Sequence, residues 1–297
     1  GDGTSQFASY IAGLREAGLD VVFVVDATGS MGWVLDEVKD RIEDISAVVR
    51  SLVPIARFGF VAFRDKKDPE FVTRIEPLTY STNKLKKFLS SLEAEGGGDW
   101  FEAIDEGLRV AIEESGWRIG ARRLIILIGD APIRESQLRG VVGLAEQFRR
   151  SEGTISTLDV SDQANPHLLE AKVGRKVAHS LYRSAPMHAF LVIGEAGGGD
   201  TATLDGELKL TRRLIKLILG DKFASQMKDS NDFKNYLDTI NRQIKDIENL
   251  ANEFSNFARM PNPKFEIITI NSVLNRAIDF IKMSSENLII FEDLNKN

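Results

Sequence analysis

A strand-length apolar run, Leu19-Asp20-Val21-Val22-Phe23-Val24-Val25, carries a single charge near its start and ends at Asp26. The run does not alternate apolar with polar, so it leaves neither face for water. That pattern marks a parallel strand covered on both sides. A second run, Arg123-Leu124-Ile125-Ile126-Leu127-Ile128, has the same character and ends at Gly129-Asp130. Between and around them the period changes. Val34, Leu35, Val38, Ile42, Ile45, Val48, Val49 and Leu52 recur at helical spacing until Pro54 stops them. Phe58 to Phe63 reads as another strand and Phe71 to Leu78 as an edge strand. Helices are expected at 82–92, 100–114 and 136–149, strands at 154–158 and 188–193, and a closing helix at 206–219. Strands spaced by helices imply an α/β fold, a doubly wound, mostly parallel sheet flanked by helices. Ligands in such sheets gather at the carboxyl ends of the strands, near the switch in strand order.

Composition divides the chain. All 24 glycines lie at or before Gly220, whereas asparagine appears twice before that residue and twelve times after it. Arginine outnumbers lysine 18 to 10 up to Gly220, and lysine leads 7 to 3 beyond it. A boundary is therefore expected near residues 220–230, giving a first domain over 1–222 and a tail over 223–297. A helical extension explains the loss of glycine but not the gain in asparagine, and a join of two sequences of different origin explains both. The net charge of −6 gives no general attraction to nucleic acid. No stretch is apolar enough to span a membrane, and the absence of cysteine excludes a disulfide framework and thiolate chemistry. Cytoplasm and periplasm both remain open. Gly1 at the start implies a removed leader or a cut fragment.

The residues after the buried runs carry the chemistry. Asp26-Ala27-Thr28-Gly29-Ser30 places a carboxylate and two hydroxyls at alternate positions of one loop. Gly96-Gly97-Gly98-Asp99-Trp100 opens a later helix with a third aspartate, and Asp130 closes the set. Hard oxygen donors on three loops suit Mg²⁺ or Mn²⁺, with Ca²⁺ a poorer match. Carboxylates gathered without a cation would repel one another and raise a pKa. The competing reading is that each Asp or Ser caps the helix behind it.

At these residues the sequence resembles the von Willebrand factor type A family, over about residues 15–222. The family's metal-ion-dependent adhesion site opens with Asp-x-Ser/Thr-x-Ser, matched by Asp26, Thr28 and Ser30. Its second loop usually supplies a threonine, although many bacterial members carry Gly-Gly-Gly-Asp, as Gly96 to Asp99 does. Its third loop supplies an aspartate after the fourth strand, matched by Asp130. The resemblance implies metal-dependent, non-catalytic binding of a protein partner, whose acidic side chain completes the coordination sphere. Trp33, Trp100, Tyr182 and Arg183 are candidates for the rim that meets this partner. For the two tryptophans, burial of helix starts is the equal alternative.

Enzyme readings fare worse on the same residues. A haloacid-dehalogenase-like phosphotransferase needs a second aspartate where Thr28 stands, and no Gly-x-x-x-x-Gly-Lys-Ser/Thr run is present. His167, His179 and His188 show no ligand spacing; His167 reads as solvated and His188 as a packing residue. Residues 160–186 form a long insertion, either a partner-selecting rim or a helix-containing spacer on the sheet edge. Glu195 to Asp200 reads as a linker or a second cation site.

In the tail, Phe233, Leu237, Ile240, Ile244, Ile247, Ala251, Phe254 and Ala258 alternate steps of four and three. Such a heptad seam must meet another helix, in this chain or in a second copy, and so offers a homodimer contact through 233–258. A strand after Pro263, a helix at 272–283 and a strand at 288–291 would complete a small α+β fragment. The segment Asn252 to Pro261 is similar to NtrY-type sensor histidine kinases, where it closes the second helix of the dimerisation hairpin. The phosphoacceptor histidine motif and the ATP boxes of that family are absent from these residues. The alternative function is therefore a signalling protein whose tail is an inactive kinase transmitter.

Overall fold

The computed structural model describes residues 2–96, 103–204, 210–220, 270–272 and 274, with side chains from residue 9 onward. The chain divides into two compact units, Gly1–Ile244 and Lys245–Asn297. In the second, the described residues 270–272 and 274 are helical. The heptad seam and most of the expected α+β fragment lie outside the described residues.

The first unit runs α1 (Asp2–Ala17), β1 (Leu19–Asp26), a 3₁₀ turn (Gly29–Met31), α2 (Gly32–Leu52), β2 (Ala56–Phe63) and β3 (Thr73–Thr79). It continues through α3 (Thr82–Ser90), α4 (Ile104–Glu114), β4 (Arg122–Gly129), α5 (Glu135–Arg150) and β5 (Gly153–Asp159). Then come α6 (Pro166–Val173), a 3₁₀ turn (His179–Leu181), α7 (His188–Gly197), β6 (Gly198–Thr203) and α8 (Leu210–Leu219). The six strands form one sheet in the order β3-β2-β1-β4-β5-β6, parallel except for the edge strand β3. β1 is buried along its whole length, and its alternate side chains feed two cores. Val21, Phe23 and Val25 join Leu124, Ile126 and Ile128 beneath α2 and α8. Val22 and Val24 join Ile125 and Leu127 against residues of α4, α5 and α7. Two apolar faces explain why neither strand sequence alternates.

The doubly wound, mostly parallel sheet expected from the sequence is the architecture found, and three local readings change. A helix, α1, precedes β1 and buries Ile11 and Leu14. His188–Ile193 is not a strand but the start of α7. Ala189, Phe190, Ile193, Gly194 and Gly197 are its buried residues, and they fall on one helical face. A short apolar run carries no period of its own, and here the helical one wins. The strand follows instead at Gly198–Thr203, in the segment read as a linker or cation site. Gly198 caps α7 in the left-handed conformation, at φ +68°. A Cβ on Gly197 would stand 2.6 Å from Ile155 Cβ, and one on Gly199 would strike the Ile155 carbonyl. The three glycines let the chain reverse against β5, so close packing explains them without a cation.

The carboxyl ends of β1 and β4 lie at the reversal of strand order, the topological switch point of the sheet. At the opposite end of β1, Asp20 is fully buried between two arginines. Arg57 donates from Nε and Nη2 at 3.0 and 2.8 Å, and Arg118 from its backbone N–H, Nε and Nη2 at 3.0, 3.0 and 2.6 Å. Burial opposes its ionisation, but the Arg57 and Arg118 hydrogen bonds prevail and hold the carboxyl below its ordinary range.

A candidate site at the switch point

Asp26, Thr28, Ser30 and Asp130 meet where β1 and β4 end. The loop after β1 turns on Asp26 itself: the Thr28 N–H and hydroxyl both donate to Asp26 Oδ1, at 2.8 and 2.7 Å. An aspartate that accepts from the residue two positions on forms a local turn, which carries the chain into the Gly29–Met31 3₁₀ turn and then α2. Asp26 and Thr28 are buried, whereas Ser30 is exposed. Gly129 brings β4 close, since a Cβ there would stand 3.7 Å from Asp26 Cβ and 3.9 Å from Asp26 Oδ2. Ser30 hydrogen-bonds to the Asp130 carboxylate, and Asp130 Oδ1 is buried without a hydrogen-bond partner among the described residues.

The electrostatics follow from this crowding. Burial pushes the Asp26 carboxyl up to about 7; the two Thr28 hydrogen bonds oppose the rise and the neighbouring Asp130 charge adds to it. Burial also raises Asp130, against its hydrogen bonds from Ser30 and its own backbone N–H and against the charge of Lys172. Asp159, at the end of β5, adds a smaller upward push on Asp130. Two carboxylates are thus held near each other in a place that disfavours both charges, a situation an added cation relieves.

Asp99 and Trp100 lie outside the described residues. The segment leading to them is described as far as Gly96, whose carbonyl would stand 3.6 Å from a Cβ on Gly29. That is ordinary contact, whereas a Cβ on Gly96, which has φ +82°, would strike Asp68 Oδ2. The anchor of this approach is Arg64, which the sequence reading passed over. Its side chain is buried, with Nε donating to the Ala27 carbonyl at 3.3 Å and Nη2 to the Glu93 carbonyl at 2.8 Å. Nη1 reaches Asp68 and Glu70 at 3.2 and 2.9 Å, and the guanidinium lies 4.2 Å from the Phe71 ring centroid. One side chain therefore ties the loop after β1 to the segment approaching the glycine loop. A charged residue closing an apolar strand, as Arg64 closes Phe58 to Phe63, is the signal that could have found it.

The insertion 160–186 contains α6 and a 3₁₀ turn and docks through Leu168 into the core beneath α2. Asn165 latches it: Nδ2 donates to the Asp159 and Ser161 carbonyls, and Oδ1 accepts from the Leu204 N–H at 2.6 Å. Trp33 packs against the core, with the Lys172 ammonium 4.9 Å from its ring centroid. Arg183 points inward, donating to Asp159 Oδ2 at 2.8 Å and the Ser161 hydroxyl at 3.2 Å, while Tyr182 is half-buried. The histidines read as unrelated are not. His167 and His179 lie edge to face with ring centroids 4.3 Å apart, and Glu170 stands between them. His188 is exposed at the start of α7 rather than packed in a strand.

The sheet order, the loop chemistry at the switch point and the sequence motif define a class. The von Willebrand factor A domain model matches residues 20–203, and the chain belongs to that family. Domains of this kind commonly bind a divalent metal and mediate protein interactions. Among curated proteins the chain is similar to an NtrY-like sensor histidine kinase of Rickettsia typhi, at 34% identity over 88 residues, covering 30% of this chain and 14% of that protein. It is also similar to the alpha-protein kinase vwkA of Dictyostelium discoideum, at 30% identity over 117 residues, covering 38% of this chain and 18% of that protein. The chain thus spans less than a fifth of the length of either relative. Among solved structures, BatB from Bacteroides thetaiotaomicron aligns over 70% of this chain and 100% of its own, with a TM-score of 0.48 and 20% identity. No helix among the described residues is long and apolar enough to cross a membrane.

Proposed function

We propose that residues 1–222 act as a non-catalytic, divalent-metal-dependent protein-binding module. Asp26, Thr28, Ser30 and Asp130 would hold Mg²⁺ or Mn²⁺, with Asp99 joining from the glycine loop. The observation that carries this reading is the buried Asp130 Oδ1, without a hydrogen-bond partner among the described residues, beside an Asp26 whose carboxyl resists ionisation. Two carboxylates and two hydroxyls are the hard oxygen donors that Mg²⁺ selects, and the donor set fits the ion. A bound dication would supply a Lewis-acidic site for an acidic side chain of the partner. The protein's own residues would position that site: Thr28 holds the Asp26 carboxylate and Arg64 ties the adjoining loops, with Trp33, Trp100, Tyr182 and Arg183 as the proposed rim. Thr28 in place of a second acid at the site supports binding rather than acid–base chemistry.

The similarity to NtrY-like kinases favours a second reading, in which the domain senses within a signalling protein and the tail derives from a transmitter. The first reading requires this domain to capture a protein in a metal-dependent way. In a pull-down from lysate with the full chain as bait, a partner should be retained in Mg²⁺. It should be lost both with chelator and with the Asp26→Ala/Asp130→Ala double variant. A partner retained equally in all three conditions would remove metal dependence from the proposal.

A further inference from the structure

The insertion carries a second constellation of metal-ligating groups, made from different chemistry. His167 and Glu170 lie one turn apart on α6, and His179 opens the 3₁₀ turn beyond the Gly174 cap. His179 Nε2 is 3.0 Å from Glu170 Oε1, and His167 Nδ1 is 3.5 Å from Glu170 Oε2. One ligand atom from each of the three residues falls within 4.8 Å of the other two. Glu170 Oε1 also accepts from the Val177 N–H at 3.0 Å, and the Lys176 ammonium is 3.6 Å from Oε2. The Val177 hydrogen bond, with His179 and Lys176 behind it, lowers the Glu170 carboxyl to about 2, so it is an anion at any ordinary pH.

From this geometry we infer a second, transition-metal site formed by His167, Glu170 and His179, taking Zn²⁺ or a neighbouring late first-row dication. Tetrahedral coordination at about 2.1 Å separates ligand atoms by roughly 3.4 Å. Each imidazole nitrogen already stands near that separation from one oxygen of the Glu170 carboxylate, His179 from Oε1 and His167 from Oε2. The widest pair needs to close by no more than about 1.5 Å, within reach of a rotamer adjustment on half-exposed imidazoles. Two imidazoles and one carboxylate leave a fourth position for water or for a ligand from a partner. Imidazole nitrogen selects zinc, nickel or copper over magnesium and calcium. The two sites thus sort ions by ligand type, oxygen at the switch point and nitrogen on the insertion. The Val177 N–H already fixes one carboxylate oxygen, the kind of outer hydrogen bond that orients a metal ligand. A metal here would tie α6 to the chain beyond its cap. The same helix carries Lys172, which lies over Trp33 and acts electrostatically on Asp130. Occupancy would therefore hold the border of the switch-point site in one arrangement.

The test is calorimetric titration of the chelator-stripped full chain with Zn²⁺ alone, together with the visible spectrum of the Co²⁺-substituted protein. One equivalent should bind, millimolar Mg²⁺ should not compete, and Co²⁺ should give the absorption of a low-coordinate nitrogen–oxygen site. His167→Ala/His179→Ala should weaken Zn²⁺ by at least about a hundredfold, the upper range for losing even a supporting group. Its circular dichroism should be unchanged, because both rings are substantially exposed. Asp26→Ala/Asp130→Ala should keep Zn²⁺ affinity within tenfold. Absence of binding, or a change below tenfold in the histidine variant, would overturn the assignment. So would binding that follows the aspartates and not the histidines, whereas the absence of Zn²⁺ binding leaves Mg²⁺ at the switch point untouched.

Discussion

Asparagine in place of Asp26 should make the metal-free protein more stable at pH 7.5 and above, and leave it with nothing to gain from Mg²⁺. The carboxyl is raised to about 7 chiefly by burial. The folded state therefore holds a proton that the unfolded chain, titrating near 4, has already released. Stability without metal falls as pH climbs from about 4 to 7 and is flat beyond. The total loss is on the order of 3–4 kcal/mol, at about 1.4 kcal/mol per pKa unit. Asparagine keeps the oxygen that accepts from the Thr28 N–H and hydroxyl and removes the charge beside Asp130. Thermal unfolding in chelator should show the variant melting above the wild type at pH 8 and close to it at pH 4. In Mg²⁺ the gap should close, because an ion at a hundred times its Kd adds about 2.7 kcal/mol, and at a thousand times about 4.1 kcal/mol, to a protein that binds it and nothing to one that does not. A variant that melts below the wild type in chelator at pH 8 would mean that the Asp26 charge is stabilising by itself.

Asp20→Ala should be the most destabilising single change at the other end of the same strand. Its carboxylate sits between Arg57 and Arg118 with its side chain fully buried. Arg57 also donates to the Gly116 carbonyl, and Arg118 to the Leu19 and Ile55 carbonyls. Removing the anion leaves two guanidinium groups facing each other in a half-buried place. Breaking a buried pair in this way costs about 3–5 kcal/mol. For a domain of this size that lowers the melting point by roughly 6–20 °C. Six residues of strand, about 20 Å, separate Asp20 from Asp26, so Mg²⁺ affinity of the folded fraction should be unchanged. Because folding holds this carboxyl below its ordinary range, its contribution should be complete at neutral pH. It should fade only in acid, as pH falls through the lowered folded value. Denaturant unfolding at pH 7 and pH 3 tests both points. An equal ΔG for variant and wild type at pH 7 would show that the arginines re-solvate freely.

The buried runs made the sheet legible, because a strand covered on both faces must be apolar almost throughout and its carboxyl end falls at the first charge after the run. Asp26 and Asp130 are those first charges, and both close strands that neighbour each other across the switch point. The period of Val34 to Leu52 likewise gave α2. The failures have equally local causes. His188 to Ile193 is apolar on every side, and only neighbours distant in sequence decide between strand and helix. The glycines at 197–199 looked like a loop because their steric reason, the Ile155 backbone, lies more than forty residues away. His167 and His179 are twelve residues apart on two elements, with a left-handed cap between them. The one readable clue was His167 and Glu170 at i and i+3, on one face of any helix. Arg64 sits directly after an apolar strand, yet a single charge at a strand end does not announce which loops it will bridge.

The proposed binding function would depend on a dication held by Asp26 and Asp130, and calorimetry reads that without knowledge of the partner. Titrating Mg²⁺ or Mn²⁺ into the chelator-stripped full chain should give one equivalent of binding, stronger at pH 8 than at pH 6 because protons compete for the raised carboxyls. The Asp26→Ala/Asp130→Ala variant, confirmed as folded by circular dichroism, should give no binding heat. Binding of the same stoichiometry and affinity in the folded double variant would contradict the metal site and the function proposed from it.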